Sequence, residues 1–198
     1  SDFNGILSIT AGEALVTEAS VLGATPTIEG SGGTLKVADM LELPSLTTRG
    51  ELRLGSDLVT TGAQQHEADL ILASGDVTVD DDGDALLDPL RIQSADSDIT
   101  FNGGITAGTG AKLNQRSVTI DAGTGTVTLN EQVGQDIRTD EARIGWSRFD
   151  RDNTSPYRFR VIGEQINLNG DVTTFQEQIY DGNMFVGSAA EDDPMRLL

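Results

Sequence analysis

Apolar and polar residues alternate along this chain in short runs, and Gly, Asn or Asp closes each run. ITFNG (99–103), SVTID (117–121), GTVTLN (125–130), INLNG (166–170) and DVTVD (76–80) all have this form. A period of two puts every second side chain on one face of a strand. β-branched residues suit the pleat, and Gly or Asn takes the positive φ of a tight corner. The pattern predicts short strands joined by corners along the whole length. Helical periodicity is nearly absent. ALLDPLRIQ (85–93) is the one run with room for a short helical turn, and Pro89 interrupts it.

The runs also resemble one another. TPTIEGSGGTLKV (25–37) lies on SVTIDAGTGTVTL (117–129) at an offset of 92, with Thr27/Thr119, Ile28/Ile120, Gly33/Gly125 and Thr34/Thr126 identical. LVTTGAQQHEADLIL (58–72) matches DVTTFQEQIYDGNMFV (171–186) with one extra residue in the second copy. Thr60 and Thr61 then align with Thr173 and Thr174 at an offset of 113, and His66 falls opposite Tyr180. The offsets differ by 21 residues, so the second copy carries an insertion between Val133 and Tyr157. Residues 1–198 read as one domain of degenerate repeats: the end of one unit (1–49), a full unit (50–162) and the start of a third (163–198). The inserted arm covers 134–158.

These features predict an all-β fold, a parallel β-helix (β-solenoid) with an inserted β-hairpin arm. Rungs of about 20–25 residues would give roughly eight or nine coils, each rising ~4.8 Å. A propeller would repeat every ~40–50 residues. A β-sandwich, which needs no repeat, is the alternative.

Composition narrows the partners. The 198 residues are enough to bury a core, and with 37% hydrophobic but only 5% aromatic residues that core must be built from Val, Ile, Leu and Ala. A net charge of −19 argues against a nucleic-acid partner, because a polyanion would be repelled. No apolar run approaches the ~18 residues of a membrane span, so no membrane insertion is expected. The absence of cysteine excludes disulfides, thiolate metal sites and Cys nucleophiles.

Three places carry candidate chemistry. DVTVDDDGDALLD (76–88) sets Asp80, Asp82 and Asp84 at alternating positions around Gly83. Calcium takes six to eight oxygens, and such a loop supplies several. The EF-hand pattern fails, with Ala85 at its sixth position and Arg91 at its twelfth. A looser Ca²⁺ site and a solvated acidic turn are the two readings, and no other cofactor is expected. His66, the only histidine, sits at an ordinary repeat position, which favours a structural or surface role over membership of a Ser–His–Asp set.

The third place is ARIGWSRFDRDNTSPYRFR (142–160). It gathers Arg143, Arg148, Arg158 and Arg160 with Trp146, Phe149, Tyr157 and Phe159 in an otherwise acidic chain. RIGWSRF and YRFRV alternate around a turn, as a hairpin arm would. On the second strand Tyr157, Phe159 and Val161 share a face opposite Arg158 and Arg160. Arg and Trp are enriched in interface hot spots, and a cationic arm complements an acidic body. The arm either contacts another copy of the chain or folds back to pair with its own carboxylates.

At SDITFNGGITAG (97–108), SVTIDAGTGTVTLNEQVG (117–134), EQINLNGDVTT (164–174) and QIYDGNMFVG (178–187), the chain resembles the long repeats of bacterial filamentous-haemagglutinin-like surface proteins, giant β-strand-repeat adhesins. The resemblance implies a secreted, cell-surface protein with a right-handed β-helix, no catalytic residues, and a role in adhesion or filament building. The expected partners are further copies of the chain and surface glycans. MFVGSAAEDDPMRLL (184–198) has no polar cap, which favours head-to-tail stacking or strand exchange. A β-helical protein that binds or cleaves polysaccharide is the rival reading.

Overall fold

A computed structural model describes residues 6–10, 12–16, 26–31, 33–37, 40, 42–72, 78–79, 85–86, 89–107, 117–134, 158–174 and 177–187. Eighteen strands occur among them. The first nine are β1 (Ile6–Ile9), β2 (Glu13–Val16), β3 (Thr27–Gly30), β4 (Thr34–Val37), β5 (Ser45–Arg49), β6 (Leu52–Leu54), β7 (Leu58–Thr60), β8 (Ala63–His66) and β9 (Leu70–Leu72). The others are β10 (Thr78–Val79), β11 (Ala85–Leu86), β12 (Leu90–Ser94), β13 (Ile99–Phe101), β14 (Ile105–Ala107), β15 (Val118–Asp121), β16 (Thr126–Leu129), β17 (Phe159–Leu168) and β18 (Gln178–Val186). Each alternating run named from the sequence contributes a strand. In the run 85–93 the described residues Ala85–Leu86 and Leu90–Ser94 are strands; Pro89 blocks a helix, and the apolar residues alternate from Leu90 onward.

Among the described residues all pairings are parallel except that of β10 with β11. Parallel neighbours are far apart in sequence, as coiling demands. One file of stacked inward positions runs Leu7, Ile28, Thr48, His66, Phe101, Leu129, Leu168, Val186. A second runs Leu58, Ile92, Ile120, Val161, Tyr180. A third wall is the sheet β14-β9-β6-β4-β2, in which Leu52, Leu70 and Ile105 stack and single bridges carry the column on to Val133 and Val172. The chain is a parallel β-helix, and the first file counts eight rungs among the described residues.

The walls close around one aliphatic core. Ile28, Leu35, Leu54, Leu58, Ile92, Ile99, Ile120, Val127, Val161 and Ile166 are all fully buried, and Phe101 and Phe159 are the large aromatics among them. The buried–exposed alternation of β12 and β17 shows the period of two directly.

Rung lengths vary. Thr48 and His66 stack 18 residues apart. The steps from Glu67 to Asn102, Asn102 to Asn130 and Asn130 to Asn169, in the adjoining column, are 35, 28 and 39 residues. The longer steps contain segments 73–88, 108–116 and 135–157. A corner takes in extra chain without breaking the ladder on either side. The repeat offsets register only the last of these long steps.

The long repeat alignment does not follow the walls. Ile28 belongs to the file of Thr48 and His66, while Ile120 stacks between Ile92 and Val161. His66 likewise lies in the first file and Tyr180 in the second, so the two are not equivalent. Every wall of a solenoid shares the strand–corner–strand pattern, and sequence similarity therefore matches strands on different walls. The boundary between 162 and 163 falls inside β17, beside the register shift between Ile162 and Gln165.

Candidate functional site

The corners are built from carboxylates and amides that reach from one coil to the next. Asp57 Oδ1 accepts the backbone N–H of Arg91 at 2.8 Å, and Asp69 Oδ1 accepts that of Gly104 at 2.8 Å. Asp96 and Asp98 do the same for Thr124 and Thr126. Beside the first file runs an amide ladder. Asn102 Nδ2 donates to Glu67 Oε2, Asn130 Nδ2 to Asn102 Oδ1, and Asn169 Nδ2 to Asn130 Oδ1. Part of the acidic composition is therefore coil-to-coil bracketing.

His66 is a core residue. It is 0% exposed and stacks on Phe101, with ring centroids 4.5 Å apart and planes at 14°. Gln64 Nε2 donates to Gln93 O and to Thr60 Oγ1, which turns Gln64 Oε1 toward His66 Nε2 at 3.3 Å. That oxygen only accepts, so Nε2 carries the proton, and Nδ1 accepts from the Thr48 hydroxyl at 2.8 Å. Burial lowers the imidazole pKa to about 3, and the ring is neutral. It has no surface open to a solute.

Of the arginine–aromatic set, Arg143, Trp146, Arg148, Phe149 and Tyr157 lie outside the described residues, as do Asp80, Asp82 and Asp84. Arg158 and Arg160 are exposed and reach acids of the following rung, Arg158 to Glu177 at 3.4 Å and Arg160 to Asp181 at 3.9 Å. Phe159 is corrected from a contact residue to a core residue. It is 0% exposed, stacked between Val118 and Gln178, with Tyr180 edge-on at 6.3 Å. Period-two alternation forces this, because its neighbours Arg158 and Arg160 take the outer face. Partial burial raises the Tyr180 hydroxyl pKa, and that hydroxyl donates to Gln178 Oε1. Among the described residues no group of three or more His, Cys, Asp or Glu side chains is placed to hold a metal ion.

The sequence marked the stretch from Met184 as uncapped, but not the two-faced apolar character of the last described rung. β18 pairs with β17 on one edge, and no described strand covers the other. Its inward residues Met184 and Val186 are 42% and 51% exposed, and its outward residues Ile179 and Phe185 are 40% and 56% exposed. The column containing Phe185 is polar on preceding rungs, at Thr47, Gln65, Thr100, Thr128 and Asn167. The signal in the sequence was QIYDGNMFV itself, apolar at both parities, as in strands covered on both faces. A shallow groove of about 510 Å³ borders this rung, lined by Thr124, Thr126, Glu164, Gln165, Asn183, Met184 and Phe185.

Comparison with protein families, with curated proteins and with solved structures finds no match for this chain.

Proposed function

We propose that this protein is a non-enzymatic structural subunit, a β-solenoid that builds an extracellular filament, sheath or adhesive surface layer from copies of itself. The observation that carries this reading is β18, the last described strand, apolar on both faces and with no described strand on its free edge. Exposed edges of this kind template pairing with another chain unless they are covered. The amide and carboxylate corners support it too, because they serve the stacking of coils. The arginine–tryptophan segment 142–160 adds a second, lateral contact through Arg143, Trp146, Arg148, Phe149, Tyr157, Arg158 and Arg160.

The test is sizing together with negative-stain microscopy, with and without calcium, which also probes Asp80, Asp82 and Asp84. Concentration-dependent multimers or filaments are the expected result. A strictly monomeric particle in every condition would sink the proposal. Trp146→Ala with Arg148→Ala separates the lateral contact from the rest, since unchanged assembly removes the arm from it.

A second reading is polysaccharide binding. The groove beside β18 favours it, with hydroxyl, amide and carboxylate groups next to the exposed ring of Phe185. Binding of a soluble polysaccharide, lost with Phe185→Ala while assembly persists, would select it.

A further inference from the structure

Resting on the polysaccharide reading, we infer that the recess beside Phe185 is a binding site for an uncharged pyranose unit, with the apolar face of the sugar on the Phe185 ring and its hydroxyls on Glu164, Thr126 and Asn183. The recess follows from how one corner shortens. Between matched positions of the two main walls, four residues (122–125) separate Asp121 from Thr126, two (163 and 164) separate Ile162 from Gln165, and Gly182 alone separates Asp181 from Asn183. The longest turn therefore overhangs the shorter ones. The space beneath it has two lobes of about 510 and 470 Å³ that share Thr124, Glu164 and Asn183. It opens on the outer side of the coil, where a further rung beyond β18 would lengthen it and not fill it.

The overhang is held before any ligand arrives. Gly125 N–H donates to Ala122 O at 2.8 Å, and Asp96 Oδ1 on the preceding rung accepts the Thr124 N–H at 3.0 Å, so little order is lost on binding. β17 carries one residue more than β18 across the register shift between Ile162 and Gln165, and Glu164 is exposed there. Gln165 Nε2 donates to Asn167 Oδ1 at 2.8 Å, but among the described residues the side chains of Thr126, Glu164 and Asn183 have no hydrogen-bond partner. Phe185 is 56% exposed. An aromatic face attracts polarised C–H groups, and a carboxylate accepts strongly from hydroxyls. Such a set matches a sugar, which is apolar on one face and rimmed with hydroxyls. The class of sugar follows from charge. Glu164 and Asp181 line the recess, and no described lysine or arginine does. Arg160 offsets Asp181 at 3.9 Å, while no described cation offsets Glu164. In a chain of net charge −19, uronate and sulfate groups are repelled from this recess and neutral sugars are not.

Saturation-transfer NMR on dilute protein is the test. Neutral oligosaccharides of the gluco-, manno- and xylo-series form one set of probes, and oligogalacturonate and sulfated oligosaccharides the other. The expected result is binding of at least one neutral probe and of no acidic one. Glu164→Gln keeps the shape of the recess and is expected to weaken that binding roughly tenfold, as is Phe185→Ala, which removes the ring. Both residues are exposed, so denaturant unfolding of the two variants is expected to match the parent. Neutral binding that either variant leaves unchanged would overturn the site. Acidic probes binding as well as neutral ones, or better, would overturn the sugar class while leaving the polysaccharide reading standing. No binding by either set would overturn both.

Discussion

Asn169 donates its side-chain N–H to Oδ1 of Asn130, 2.8 Å away and 39 residues earlier in the chain. Asn130 is also the donor to Asn102, so it is the middle member of a ladder that ties successive coils across the longest step in the solenoid. Removing a middle member strands a donor on one side and an acceptor on the other. Asn130→Ala is expected to cost about 1–3 kcal/mol, and Asn169→Ala, which breaks one bond at an exposed position, about 0.5–1.5 kcal/mol. Denaturant unfolding of dilute protein checks the order, and equal costs for the two variants would refute the ladder as a coupled unit.

The corners after Asn102 and Asn169 have their own requirement. A Cβ on Gly103 would run into the backbone of Ala68, and one on Gly170 into that of Glu131. These glycines let the backbones of neighbouring coils approach. Gly170→Ala is therefore expected to destabilise by about 1–3 kcal/mol through overpacking against backbone, which cannot move aside like a side chain. The same substitution at Gly12, where an added Cβ meets nothing within 4 Å, removes only the ease of its positive φ. Thermal unfolding of the two variants side by side is the measurement, with the larger loss at Gly170.

Strands and coil were legible because period-two alternation and Gly/Asn corners are local signals. ITF, VTID, TVTL and INL could be placed as strands without knowing what they pair with. Which wall each strand joins was not legible. Ile28 and Ile120 sit in near-identical sequence but in different files, since the local pattern carries no information about the long-range partner. The burial of Phe159 followed from alternation with Arg158 and Arg160. The aromatic and cationic composition of its segment drew it into a surface reading instead. The sequence left His66 a structural or a surface role; its complete burial selects the first, and its partners Thr48, Gln64 and Phe101 needed the register. β18 was visible as QIYDGNMFV, but only its place as the last described rung reveals that its apolar residues are uncovered.

Charging the last rung separates folding from assembly. Ile179 and Phe185 point outward from β18, so Lys at both positions adds cations without disturbing the buried file. Inward charges and lysines on edges are known means of blocking edge pairing. The double variant Ile179→Lys, Phe185→Lys is expected to need roughly tenfold or more protein to assemble, while monomer stability shifts by no more than about 0.5 kcal/mol. Sedimentation velocity across a concentration series reads the first quantity, and denaturant unfolding the second. Unchanged assembly would remove the last rung from the contact.

The buried imidazole gives the fold a pH limit of known sign. In the unfolded chain His66 titrates near its ordinary value of 6.5, whereas burial in the folded chain lowers it to about 3. Above pH 6.5 the ring is neutral in both states and contributes no pH dependence. As pH falls below 6.5 the unfolded chain takes up a proton that the folded chain refuses, so stability drops, by roughly 2 kcal/mol at pH 5. Ordinary carboxylates titrate mostly below pH 5, which leaves the window from pH 5 to 7.5 to the histidine. His66→Phe keeps a ring to stack on Phe101 but has nothing to protonate. It lowers stability at pH 7.5, because the Thr48 hydroxyl loses its acceptor, and it flattens the profile down to pH 5. Unfolding free energies of the two proteins measured across this window decide the matter. Parallel profiles would show that His66 does not set the slope, and a converging pair, with the parent losing its advantage as pH falls, is the expected outcome.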